Sequence, residues 1–321
     1  MTRWPAALLT ALLLLPAAVP AAGPARIRCG VEMRNVALRV TDDVVLQIRA
    51  LDGEFVSRLR ARPPMFDDPN SYTLRLKSAD ISMDGASLTN MLREALAAHP
   101  TQIRDVRIAI EGDHLHTSGK IQKGAAVPFT MEAAVSVTPD GWMRLHATKL
   151  SAVGVPVKGI LDLFGLKMDD LMKMPAGSGM KTDGDDLLLD AAALMPPPKT
   201  EGRLKSVTVA SNHLTMQLVG PGEPTGRPAT LPFPSARNYI YFYGGTIRFG
   251  KLTMTNADMQ LIDADPRDPF DFSPPHYEKQ LVAGYSRNTP RKGLQVFMPD
   301  YSDVARSHAA ALPPPHITRN K

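Results

Sequence analysis

Cysteine is almost absent from this 321-residue chain, which has one cysteine, at position 29. A single cysteine cannot form a disulfide within the chain, so the protein must be stabilised by its hydrophobic core. Arg26, Ile27 and Arg28 precede Cys29. A lipobox has leucine three residues before the cysteine and small residues beside it, so we do not expect Cys29 to carry a lipid.

Long apolar runs are also missing, except for one near the N-terminus. Arg3 is followed by an apolar run over residues 6–15 and then by small residues at Ala21 and Ala22. This order is typical of a secretory signal peptide, here over residues 1–21. A transmembrane helix needs about 20 apolar residues, roughly twice this run, so an uncleaved membrane anchor is the weaker interpretation. The mature chain is therefore predicted to be exported, and the periplasm is its expected location.

Neither sign of charge predominates, since 37 basic and 32 acidic side chains give a net charge of +5. Both signs are interspersed and no predicted helix carries a basic face, so nucleic acid is not an expected partner. The small positive excess still favours peripheral contact with anionic lipid head groups.

Catalytic motifs are absent as well. No serine lies in a G-x-S-x-G elbow, and residues 177–182 (GSGMKT) lack the glycine spacing of a phosphate loop. His114 and His116 would share a strand face, but no motif nearby completes a metal site. Four aspartates within residues 263–271 could bind Ca²⁺, yet they depart from the EF-hand pattern. We therefore predict a non-enzymatic protein with no catalytic residue, metal or cofactor; a metal-assisted hydrolase at residues 263–271 is a less favoured alternative.

Alternating apolar and polar residues predict that most of the chain is β-sheet. Such runs occur over residues 35–56 and 72–84, and again in four successive segments over residues 103–150. Strands that follow one another without helices between them pair antiparallel. Ser87 is a candidate N-cap for a helix that ends near residue 98. The pattern predicts an α+β fold built on an antiparallel sheet.

A second amphipathic helix is predicted over residues 155–174 (VPVKGILDLFGLKMDDLMKM). At about 100° per residue its apolar side chains form a stripe about 120° wide, with charged side chains opposite. This stripe needs a cover, which can be the sheet, a lipid chain or a membrane surface. The residues alone do not choose among the three.

The last third of the chain differs in composition. Residues 220–238 are rich in proline and glycine and are predicted to be a linker between residues 22–219 and a C-terminal β subdomain or sheet extension, residues 239–306. Most aromatic residues follow this linker. Residues 239–249 (YIYFYGGTIRF) predict an aromatic-rich β-hairpin that turns at Gly244–Gly245. Residues 307–321 are predicted to be a disordered tail.

The order of these elements resembles that of the bacterial LmeA-like phospholipid-binding periplasmic proteins, relatives of the tubular lipid-binding (TULIP) group. The resemblance covers residues 32–220 and rests on the segments DGASLTNMLREAL, VGVPVKGILDLFGL and DDLLLDAAALMPPP and the strands around them. It implies a long, curved antiparallel sheet wrapped around two or more amphipathic helices, enclosing a groove for acyl chains. The implied partner is a phospholipid or another acyl or isoprenoid lipid.

With this resemblance, the two predicted helices supply the expected lipid-binding residues, because their apolar stripes would face the concave sheet. The expected lipid-binding residues are Leu88, Met91, Leu92, Val157, Ile160, Leu161, Phe164, Met168, Leu171 and Met172. Without a lipid the same stripes could close on the sheet as an ordinary core. A further alternative is a structural or interaction module that docks a protein partner through the 239–249 hairpin, whose Tyr239, Tyr241 and Tyr243 would form one exposed face.

Overall fold

The computed structural model describes residues 26–97, 103–123, 125–152 and 179–311. In chain order the strands are β1 (Arg28–Thr41), β2 (Val44–Ser57), β3 (Tyr72–Asp84), β4 (Ile103–Glu111), β5 (His114–Lys123), β6 (Ala125–Val137), β7 (Met143–Ala152), β8 (Met180–Asp183), β9 (Asp186–Leu189), β10 (Lys199–Glu201), β11 (Arg203–Ala210), β12 (His213–Val219), β13 (Tyr239–Phe249), β14 (Leu252–Asp263), β15 (Phe270–Phe272), β16 (Tyr285–Asn288) and β17 (Leu294–Met298). The helices are α1 (Gly85–Ala97), α2 (Tyr277–Ala283) and α3 (Tyr301–Ala311), and short 3-10 turns occupy Pro69–Ser71 and Pro274–His276. The described chain is mostly β-sheet with few helices, which is compatible with the predicted α+β class.

The larger sheet joins the two ends of the described chain. Its strand order is β11-β12-β3-β2-β1-β13-β14-β17-β16, with β10 beside β3 and β15 beside β1. Most neighbours are antiparallel, whereas β14 and β17, β3 and β10, and β1 and β15 run parallel. Because β13 pairs directly with β1, the aromatic strands after residue 238 and the N-terminal strands belong to one sheet.

The smaller sheet contains the consecutive strands predicted over residues 103–150. Its order is β4-β5-β6-β7-β9-β8, and every pair is antiparallel, which confirms the predicted pairing of β4 to β7. Helix α1 connects the two sheets. The Ile108 amide donates to the Thr89 hydroxyl at 2.8 Å, and the Asn90 side chain donates to the Asp43 carbonyl at 2.9 Å.

The predicted helix after β3 is present, but its cap differs. Asp84 accepts a hydrogen bond from the Ser87 amide at 2.7 Å, so Asp84 caps the helix in the way expected of an N-cap carboxylate. The Ser87 hydroxyl instead accepts a bond from the Val45 amide at 3.2 Å. The prediction placed the cap three residues too late, because β3 runs directly into the helix and no loop marks where the helix begins.

The predicted turn at Gly244–Gly245 is wrong. Strand β13 runs through both glycines, and the turn to β14 is formed by Gly250 and Lys251. Gly245 has a φ of +51° and lies where β13 approaches the first residue of β1: a Cβ there would lie 1.9 Å from the Arg28 carbonyl oxygen. The glycine pair therefore serves a close approach between strands rather than a chain reversal.

Some predicted elements lie wholly or partly outside the described residues. The signal peptide (1–21) and the helix at 155–174 lie outside the described residues. Helix α3 extends to Ala311 and so includes the first five residues of the segment predicted to be a disordered tail (307–321). No helix of the described ranges is long and apolar enough to cross a membrane.

Cys29 lies within β1 and its thiol is buried. Burial raises the pKa of Cys29 to about 12, against the opposing effect of a weak hydrogen bond to the Tyr243 carbonyl. A thiol with so high a pKa contains little thiolate at neutral pH, so Cys29 is unreactive in the folded protein.

Candidate ligand-binding cavity

An apolar cavity of about 300 Å³ lies on the inner face of the larger sheet. This volume is at the lower end of the range of about 300–1,000 Å³ found for small-molecule pockets. Strands β1, β2 and β3 supply most of the wall. The aliphatic and aromatic strand residues that line the cavity are Met33, Leu38, Val40, Leu46, Ile48, Leu51, Phe55, Tyr72, Leu74, Leu76, Ile81, Leu218, Ile240 and Phe272.

The period-2 pattern of these strands explains why apolar side chains line the cavity. Tyr72, Leu74 and Leu76 alternate along β3 and so point to one face. In β2 the pairing register shifts between Ile48 and Ala50, which keeps Ile48 and Leu51 on the same face although they are an odd number of positions apart. Leu76 and Ile48, two residues of this lining, are buried.

Two proline runs frame the rim of the cavity. Pro196–Pro198 precede β10, and Pro274–Pro275 follow β15. Pro197 and Pro275 are exposed, whereas Met195 is half-buried. Proline has no backbone N–H, so these segments bring apolar surface to the rim without unpaired donors.

An aromatic cluster closes another part of the wall. The Phe66 ring contacts Phe242 edge-on at 5.7 Å between centroids and Tyr277 at 5.3 Å. Phe66 also lies 4.8 Å from Phe249. These contacts hold the loop between β2 and β3 against β13, so that Phe66 forms part of the cavity lining.

The polar lining of the cavity is sparse. Among the described residues it consists of Asp67, Tyr72 and Thr200. The Asp67 carboxylate accepts hydrogen bonds from the Gly250 amide and the Tyr277 hydroxyl. The Thr200 hydroxyl donates to the Pro198 carbonyl at 3.2 Å. No lysine, arginine or histidine occurs among the described lining residues.

Residues 220–238, which we call the covering segment, lie against the outer face of the larger sheet. Beneath it Tyr239, Tyr241 and Tyr243 are buried, and Leu231 packs against them. The Phe233 amide donates to the Gln260 side chain at 2.7 Å. The tyrosines therefore do not form the exposed aromatic face by which a protein-docking hairpin would be recognised.

Charged hydrogen bonds fix the covering segment in place. Glu32, which is 3% exposed, accepts bonds from Arg227 Nε at 2.7 Å and from the Tyr239 hydroxyl at 2.6 Å. Arg34 lies 3.2 Å from the same carboxylate. Burial alone would raise the pKa of Glu32, but these hydrogen bonds and charges outweigh it and lower the pKa below its usual value.

Three of the residues predicted to bind lipid, Leu88, Met91 and Leu92, belong to the described part of the chain. Leu88 and Met91 on α1 pack against the main core, and Leu92 packs against the core of the smaller sheet. None of these three lines the cavity. The other predicted residues, at 157–172, lie outside the described ranges, so a groove between the helices and the sheet stays a prediction.

Sequence reasoning did not single out the cavity residues. The alternation of apolar and polar residues identifies the inner face of β2 and β3. The same alternation occurs on a closely packed face and on a face that borders a cavity. The proline run at 196–198 was the available signal, because an apolar, donor-free segment beside strands is suited to the rim of an apolar pocket.

The aspartates at residues 263–271 are largely paired with protein groups. Asp263 accepts a bond from the Asn238 side chain at 2.8 Å, and Asp271 is held by Arg39 at 2.6 Å. Asp265 pairs with Arg267. In the described part of the chain no three acidic, histidine or cysteine side chains are arranged to hold a metal ion.

Asp300 lies beside this acidic group and is 8% exposed. Burial raises the pKa of Asp300 to about 7 in spite of a hydrogen bond from the Asp271 amide, and the charges of Asp263, Asp268 and Asp271 raise it further. The accepted bond from the Asp271 amide is 2.8 Å long. The carboxyl group is thus kept partly protonated at neutral pH.

We expect Asp300→Asn to stabilise the protein at alkaline pH. The unfolded chain releases this proton near pH 3.8 and the native state near pH 7, so the contribution of Asp300 to wild-type stability falls as the pH rises between these values. Asparagine stays neutral and keeps an oxygen that can accept from Asp271. Urea unfolding measures the free energy of unfolding of the variant minus that of the wild type. This difference should be about 1–3 kcal/mol larger at about pH 8.5 than at about pH 3.5. An unchanged difference between the two pH values would contradict this account of Asp300.

None of the known protein families, curated proteins or solved structures compared with this chain matches it. The resemblance to LmeA-like proteins thus stays a prediction from the order of the sequence elements.

Proposed function

We propose that this protein is an exported, non-enzymatic lipid-binding protein of the cell envelope, and that the cavity on the inner face of the larger sheet holds a lipid chain. The observation that carries the proposal is the composition of the cavity: a wall of aliphatic and aromatic side chains with three polar residues among those described. Burying one methylene group is worth about 0.8 kcal/mol, so ten of them would contribute roughly 8 kcal/mol before the costs of ordering the chain.

The wider setting supports the same function. The N-terminal sequence predicts export, which suits a periplasmic protein that meets membrane lipids. The larger sheet would curve around α1 and the predicted 155–174 helix, as in the tubular lipid-binding group, and the groove beside these helices would extend the cavity. The net positive charge would favour transient contact with an anionic membrane surface.

A cavity-filling substitution tests this function. Leu74 lines the cavity and is half-buried, so Leu74→Trp places a large ring in the ligand space without replacing a fully buried core residue. We expect the affinity for the apolar fluorescent probe N-phenyl-1-naphthylamine to fall more than about tenfold, because the ring and the probe compete for the same volume. The measurement is the increase in probe fluorescence on titration with the mature protein.

The matched control is Leu252→Trp. Leu252 is 53% exposed at the start of β14 and is not part of the cavity lining. This control should bind the probe as the wild type does. Equal affinities for the two variants, with both folded by circular dichroism, would overturn the proposal.

A further inference from the structure

Tyr72 is the polar group most deeply placed in the cavity wall. It is the first residue of β3, its side chain is 4% exposed, and its ring packs against Phe55 with centroids 4.4 Å apart. Among the described residues its hydroxyl has no hydrogen-bonding partner. The only described buried side-chain oxygen that is both sealed from solvent and unpaired is that of Thr41, so the Tyr72 hydroxyl is open to a small molecule.

A lipid chain that fills the cavity would cut the Tyr72 hydroxyl off from water, and a polar ligand atom would then supply its hydrogen-bonding partner. Leaving a buried donor unsatisfied costs about 1–3 kcal/mol. A tyrosine hydroxyl both donates and accepts, so it suits the hydroxyl or carbonyl oxygen of a ligand. The position of Tyr72 among apolar residues therefore indicates one polar atom on an otherwise apolar ligand.

The charges around the cavity limit what that atom can be. Asp67 is an exposed residue of the lining. Asp68 adjoins it and is half-buried, and its carboxylate accepts a hydrogen bond from the Asn70 amide at 3.0 Å. Burial raises the pKa of the Tyr72 hydroxyl, and the charges of Asp68 and Asp67 raise it further. A carboxylate or phosphate inside the cavity would meet this negative field with no basic side chain among the described lining residues to balance it.

We propose that the cavity selects lipids whose enclosed part is uncharged, such as long-chain alcohols and esters, and rejects fatty-acid anions, with Tyr72 donating a hydrogen bond to the ligand oxygen. This inference rests on the proposed function, since it assigns the ligand class of the same cavity. The negative charge of Asp67 disfavours anionic ligands, and the Tyr72 hydroxyl favours ligands with an oxygen that can accept its hydrogen bond.

The test is a displacement experiment at about pH 8, where a carboxylic acid is ionised. Dodecan-1-ol and dodecanoate, which share a chain length, compete with N-phenyl-1-naphthylamine bound to the mature protein. We expect the alcohol to displace the probe at a concentration at least about tenfold lower than dodecanoate does. Equal potency would overturn the selection for uncharged ligands while leaving the lipid-binding function intact, whereas failure of the probe to bind would overturn both.

Two variants separate the two roles. Tyr72→Phe removes only the hydroxyl and should weaken dodecan-1-ol binding about three- to tenfold more than it weakens binding of the probe, which has no hydroxyl or carbonyl oxygen. Asp67→Asn removes one negative charge and should strengthen dodecanoate binding with little effect on the alcohol. If Tyr72→Phe leaves alcohol binding unchanged, Tyr72 is not the anchor; if Asp67→Asn leaves dodecanoate binding unchanged, the carboxylate is not the selector.

Discussion

Gly245→Ala is expected to lower the free energy of unfolding by about 3 kcal/mol or more, since it combines backbone strain with a backbone clash. Gly245 has a φ of +51°, and a Cβ at this position would lie 1.9 Å from the Arg28 carbonyl oxygen. That oxygen belongs to the backbone of β1, so relief requires β1 and β13 to separate. The cavity wall includes residues of both strands, so this separation would also disturb ligand binding.

Gly184→Ala is the matched control for this prediction. Gly184 has a similar φ of +62°, but a Cβ there would meet nothing within 4 Å. The control variant therefore has the backbone strain without the backbone clash. It should lower the free energy of unfolding by about 1–2 kcal/mol. Urea unfolding of both variants measures the difference, and equal costs would show that the close approach of β13 to β1 contributes nothing.

Glu32→Gln is expected to lower the free energy of unfolding by about 2–3 kcal/mol at neutral pH. It removes the negative charge with which both Arg34 and Arg227 pair beneath the covering segment. The native pKa of Glu32 lies below its usual value of 4.5, so its ionised form contributes stability above that pH. This contribution is lost as the pH falls from about 4.5 through the native pKa. The difference between wild type and variant should therefore shrink in acid.

Glu201→Gln provides the comparison. Glu201 also pairs with an arginine, Arg75, at 3.2 Å, but its side chain is 41% exposed. An exposed ion pair contributes about 0–1 kcal/mol, so this substitution should have a small effect at every pH. Chemical denaturation from neutral to acid pH measures both variants. A Glu32→Gln cost no larger than that of Glu201→Gln, or one that is constant with pH, would contradict the role assigned to Glu32.

The antiparallel strands were the most predictable part of the fold. The strands at residues 103–150 follow one another in sequence, so local alternation and short turns were sufficient to predict their pairing. The pairing of β1 with β13 was not predictable, because more than 200 residues lie between the partners Gly30 and Tyr243. The wrong prediction of a turn at Gly244–Gly245 has the same cause, because local sequence does not reveal contacts with strands that are distant in the chain. Two consecutive glycines usually indicate a turn, whereas here Gly245 allows β1 to approach closely.

The candidate site was predictable only in its chemistry. An apolar site for a lipid chain was expected, but at Leu88, Met91 and Leu92 and at the predicted 155–174 helix. The cavity at Leu74 and its neighbours depends on how three strands and two proline runs meet, and alternation along a single strand contains no information about the volume left between them. The covering segment is a similar case, because its proline content indicated a linker while its contacts with Tyr241 and Gln260 depend on tertiary structure.

The most direct test of lipid binding by the cavity is native mass spectrometry of the mature protein purified from a bacterial periplasm, followed by solvent extraction and identification of the bound lipid. The account predicts a stoichiometric lipid on the wild type and on Leu252→Trp, with uncharged groups next to its chain, and its loss from Leu74→Trp. A lipid-free mass for the wild type, with no lipid in the extract and none taken up from liposomes, would contradict the account.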